Sequence, residues 1–146
     1  MKIELLWEHD KIALTTTEII LPGRLYDIGK LLDHARLKKD DVSYDQSKGT
    51  FVIKMKRYNL LRRLIGHFIW INSIVPQIEC VLTIRDIAKC EIWDEDPRNP
   101  HRNEVIIGRL IIENENKIFL GAFCEHENPF HIIINTNRVN MTLEDV

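Results

Sequence analysis

From Gln77 to the end of the chain, short runs in which every second residue is apolar recur between brief polar breaks. In "QIECVLTIRDI", Ile78, Cys80, Leu82 and Ile84 alternate with Glu79, Thr83 and Arg85. A period of two puts one set of side chains on each face of an extended strand, so the pattern predicts strands with one buried face. "AKCEIW" either continues this strand or pairs back on it. "EVIIGRLIIE", "KIFLGAFCE", "FHIIIN" and "RVNMTLEDV" read as four further strands, with turns at "ENENK" and at "HENP". Short strands at such regular spacing predict a mostly antiparallel meander, packed as a sandwich or a half-open barrel.

The first half of the chain is less uniform. "KIELLWE" and "KIALTTTEII" flank a polar "HD" and favour strand through their β-branched residues, until Pro22-Gly23 breaks the run. "RLYDIGKLLDHA" places Leu25, Ile28, Leu31 and Leu32 at helical spacing, with Gly29 as a weak point. "DDVSYDQSKGTFVIKMKRY" predicts a β-hairpin: Val42 and Tyr44 share a face, Phe51, Ile53 and Met55 alternate with lysines, and Gly49 suits a left-handed turn position. "NLLRRLIGHFIWIN" favours a helix capped by Asn59, although Ile69, Trp70 and Ile71 also fit a strand. The expectation is one domain over residues 1–146, of α+β class but predominantly antiparallel β, with one or two short helices.

A length of 146 residues, 45% hydrophobic and 29% charged, can bury a core without disulfide staples. The net charge of −2 argues against attraction of the whole surface to nucleic acid or anionic membrane. Three widely spaced cysteines without a CxxC pair point to reduced thiols and a cytoplasmic setting. No window reaches the length of a membrane helix, because Arg62, Arg63 and His67 interrupt the most apolar one. The six glycines form neither GxGxxG nor GxxxxGK[ST], and no G-x-S-x-G elbow occurs.

The segment richest in chemistry is "CEIWDEDPRNPHRNE", residues 90–104. Its Asp, Asn and Pro content is that of a loop between strands. Asp94-Glu95-Asp96 resembles the start of a calcium loop, but Arg98 stands where glycine is needed and Val105 where the closing glutamate belongs. Zinc would need paired soft ligands, which "CEHE" with Cys90 and His101 does not supply. Asp33-His34 reads as a helix end rather than an acid–base pair.

No cofactor, metal or catalytic set is therefore expected. Loops and exposed aromatics carry recognition, which makes Trp93, Asp94, Asp96, Arg98, His101, Arg102, Phe68 and Trp70 the candidate binding residues. The sequence points first to a non-catalytic protein that recognises another protein, with a homodimer as one form. A small-ligand binder or hydrolase using the 90–104 loop comes second. A weak single-stranded nucleic-acid binder comes third, through Lys54, Lys56, Arg57, Arg62 and Arg63 around Tyr58, with Lys38 and Lys39 on a neighbouring strand. Nucleic acid is the less favoured partner, and no membrane partner is expected.

Overall fold

A computed structural model describes residues 2–16, 28–29, 32–58, 77–95, 103–124 and 127–146. Nine strands follow in order: β1 (Lys2–Glu8), β2 (Lys11–Thr16), β3 (Arg36–Lys38), β4 (Val42–Asp45), β5 (Thr50–Tyr58), β6 (Gln77–Asp94), β7 (Glu104–Asn114), β8 (Lys117–Cys124) and β9 (Glu127–Asp145). A 3-10 turn, Lys39–Asp41, joins β3 to β4. Each recorded pairing is antiparallel.

Pairing runs β9-β6-β5-β3-β7-β8 and returns from β8 to β9, which closes a six-stranded barrel. The β1–β2 hairpin hangs from the second half of β9, and β4 lies beside β5. This corrects the expectation of a sandwich or half-open barrel. The two final segments are one 19-residue strand rather than two, and "AKCEIW" prolongs β6 to 18 residues. Strands this long offer hydrogen bonds over two different stretches. The first half of β9 pairs β8 while its second half pairs β1, and β6 flanks both. The barrel wall itself is thereby closed, while β2 and β4 each keep one unpaired edge. Helix is confined, among the described residues, to Ile28, Gly29, Leu32 and the 3-10 turn, so the α+β label does not fit them. The helix considered for 59–72 lies outside the described residues.

The period of two decides what fills the barrel. Phe51, Ile53 and Met55 from β5, Leu82 and Ile84 from β6, Leu120 from β8, and Ile132 and Ile134 from β9 are all buried. Each such side chain contributes about 1.5–3 kcal/mol by leaving water. The expected hairpin is β4–β5, and Val42 and Tyr44 pack on the core as read from their spacing. Asp45 holds its turn by accepting from the Ser47 hydroxyl at 2.6 Å and the Ser47 amide at 3.0 Å. Gly49 closes the turn at φ 59°, and its carbonyl accepts the Ile87 N–H at 3.1 Å. In the β1–β2 turn, His9 and Asp10 both have positive φ, 49° and 60°, as a two-residue type I′ hairpin requires.

Two ion pairs sit at opposite ends of β6. Arg57, expected on the basic outer face, instead points inward and is 2% exposed. Its Nε and Nη2 donate to the two carboxylate oxygens of Asp145, at 3.1 and 2.8 Å. Lys39 turns inward as well and meets Asp94 at 2.8 Å, with its ammonium 5.8 Å from the Phe130 ring centroid.

Candidate functional site on the outer wall

Of the eight residues singled out from sequence, Trp93 and Asp94 lie among the described residues. Asp96, Arg98, His101, Arg102, Phe68 and Trp70 lie outside them. Neighbours on a strand point to opposite faces, and the structure separates Trp93 from Asp94 on that basis. The Asp94 carboxylate goes to Lys39 in a part-buried pair, with side-chain exposures of 17% and 11%. Trp93 stands outside, 56% exposed.

Cross-strand register builds a surface around that indole. Trp93 faces His131, which faces Gly121 on the far side; one step along, Glu91 faces Ile133, which faces Phe119. The Trp93 and His131 rings stack at 5.8 Å with 16° between their planes, and Phe119 tilts toward His131 at 6.0 Å. Glycine at 121 makes room for this arrangement: a Cβ there would meet the Phe119 ring at 3.2 Å. Glu91 pairs with Lys89 at 2.7 Å, and this contact holds its carboxyl below the usual range. The indole is thus oriented by its stacking on His131. The alternation of His131 with Phe130 and Ile132 puts it on the opposite face from those apolar residues, but nothing in the sequence picks out Phe119 as its neighbour. Alternation places a residue on a face without naming its cross-strand neighbour.

The basic residues divide by the same rule. With Arg57 and Lys39 inside, and Arg62 and Arg63 outside the described residues, the outer wall retains Arg36, Lys38, Lys54 and Lys56, all exposed. The strand carrying Lys38 does pair with β5, through Arg36 opposite Lys56. Like charges directly opposite cost roughly 0.2–1 kcal/mol.

A third cluster seals the seam where the tips of β1 and β8 meet along β9. Pairing of β6 with β9 shifts register twice between Arg85 and Lys89, and Asp86 within this bulge has φ 58°. Arg138 donates to Asp86 at 2.7 Å and to Glu8 at 3.0 Å, while Asn140 donates to Asp86 at 3.1 Å. Buried Thr136 donates its hydroxyl to the Glu115 carbonyl at 3.0 Å. Every charge here has an internal partner, which is the arrangement of a structural clamp.

Chemistry at the Cys80 and Cys90 thiols is unfavourable. Burial pushes Cys80 up to about 12 and Cys90 up to about 11, so neither is a thiolate near neutral pH. Among the described residues, no group of three or more His, Cys, Asp or Glu side chains is placed to hold a metal ion. Asp33 and His34 do meet, Oδ1 to Nδ1 at 3.0 Å. The contact forms because His34 leaves the helix at φ 64°, so the two side chains are not held apart as helical neighbours are. Its ring then stands edge-on to Phe123 at 6.1 Å. No helix among the described residues is long and apolar enough to cross a membrane. No protein family, curated protein or solved structure matches the chain.

Proposed function

We propose that this is a non-catalytic binding protein that recognises another polypeptide through the row Trp93, His131 and Phe119. One observation carries the reading: an indole that is 56% exposed is already held in a stacked orientation. Covering the exposed 56% of this side chain would remove roughly half of the ~150–250 Å² that burying a whole aromatic side chain takes from water. Ordering a mobile side chain at an interface costs about 0.5–1.5 kcal/mol, and a side chain fixed beforehand avoids most of that cost. Tryptophan is accordingly over-represented among the residues that dominate interfaces. Glu91 and Lys89 along the same strand provide a polar rim. Free thiols at Cys80 and Cys90 fit work in a reducing, cytoplasmic setting.

The test places a photo-crosslinking amino acid at Ile133, beside the row, and at Val52 on another wall as control. The expected result is a discrete polypeptide adduct from position 133 and none from 52, retained by Trp93→Phe and lost in Trp93→Ala. An adduct with a second copy of this chain would make the homodimer the partner, with sedimentation confirming the mass. An adduct indifferent to Trp93→Ala, or no adduct at all, would overturn the proposal. Trp93→Ala should leave the urea midpoint nearly unchanged, since surface substitutions usually stay within about 0.5 kcal/mol.

A further inference from the structure

We propose a second and independent site: the outer wall of β3, β5 and β6 binds a compact, phosphate-bearing small molecule with at least two anionic groups. The central observation is a block of four cations. Arg36 and Lys56 are directly opposite one another. The antiparallel run carries Lys38 toward Lys54, and all four line one concavity of about 630 Å³. Adjacent strands lie about 4.7–4.9 Å apart, and alternate residues along a strand about 6.6 Å. Two linked phosphates can therefore meet all four cations from the centre of the block.

The ordinary reason for lysines on a strand is protection of a free edge. It does not apply here, because β3 has β5 and β7 on its two sides and β5 has β6 beyond it. Nor are these cations used internally. Glu79 stands opposite Lys56 and Glu104 opposite Lys38. Yet among the described residues only Arg36 reaches a carboxylate, Glu104, and that contact is 3.5 Å between exposed groups. Unlike the seam around Arg138, the block sets cations against one another and, among the described residues, leaves Lys38, Lys54 and Lys56 without an ion pair.

The margins decide the class of anion. Asp41, Glu79 and Glu104 border the concavity. They would repel an extended polyanion leaving the block in either direction, but they can accept hydrogen bonds from a small ligand's hydroxyl or amino groups. The volume also falls within the roughly 300–1,000 Å³ of small-molecule sites. A single-stranded nucleic acid is the reading these carboxylates disfavour.

Titrate the full chain at low salt with inorganic pyrophosphate, orthophosphate and a fifteen-residue oligothymidylate, following thermal midpoint and heat of binding. Millimolar pyrophosphate should raise the midpoint by about 3 °C or more, because a ligand bound only by the native state stabilises it. Orthophosphate should act more weakly, and the oligonucleotide should bind no tighter than pyrophosphate. The double variant Lys38→Gln/Lys54→Gln should lose pyrophosphate affinity at least tenfold. Without ligand it should melt at or above the parent, by about 1–3 °C, because repulsion is relieved. Lys56→Gln reads the same loss should the double variant fail to fold, and Lys117→Gln on another wall should bind as the parent does. No response to pyrophosphate, a response preserved in the lysine variants, or tighter binding of the oligonucleotide would each overturn the proposal.

Discussion

Asp145→Asn isolates the energetics of the ion pair inside the barrel. The Arg57 side chain is 3% exposed and its guanidinium is held by two nearly parallel bonds, whereas the Asp145 side chain is 17% exposed. Removing one partner of a buried pair costs about 3–5 kcal/mol, chiefly because the other charge is stranded. The asymmetry in exposure sets the order of effects. Asp145→Asn strands the more deeply buried charge, on a group that cannot discharge itself, and should cost about 3–4 kcal/mol. Arg57→Met leaves a carboxylate that water can reach and should cost about 2 kcal/mol. In Arg57→Met/Asp145→Asn both charges are gone, and the loss should be about 1–2 kcal/mol, well below the sum of the singles. With a urea slope of about 1.5–2 kcal/mol/M, Asp145→Asn should lower the denaturation midpoint by about 1.5–2.5 M. Equilibrium urea unfolding of the parent and three variants completes the cycle. Additive losses, or an Arg57→Met variant worse than Asp145→Asn, would refute the argument from stranded charge.

Two further perturbations test local geometry. Gly49→Ala must place a Cβ at φ 59° and 3.0 Å from the Ile87 carbonyl oxygen, so it should cost about 1–3 kcal/mol in urea unfolding, with Gly49→Asn milder. Asp86 is held below the ordinary carboxylate range by hydrogen bonds from Arg138 first and Asn140 second. A folded-state value below the unfolded one means that this stabilisation is complete above the unfolded value, roughly pH 3.9, and disappears as pH falls through the depressed value. Parent and Arg138→Leu should therefore differ in thermal midpoint at pH 6 and converge as pH falls below roughly 4 toward that value; a gap that persists undiminished at pH 2 would show that Asp86 is not its source.

Strand positions and the inward set of side chains could be read directly from the chain. Alternation in β5 marks Phe51, Ile53 and Met55 as interior, and the same parity extended by two residues would have placed Arg57 inside as well. A charged side chain argued against that step, because the Asp145 carboxylate that permits it lies 88 residues away. The β4–β5 hairpin was legible because its turn chemistry is local, with Asp45 and Gly49 within five residues of each other. In the 90–104 segment, read as a loop, residues 90–94 are instead the end of β6, and which way Trp93 and Asp94 would face was not legible. What only the tertiary structure decided is adjacency: that β8 returns to β9 and closes the barrel, that Trp93 stacks on His131, and that Arg36 stands against Lys56. Periodicity reports which side of a strand a residue occupies. It cannot report which strand lies alongside, because that choice is made by hydrogen bonds and packing summed over residues far apart in sequence.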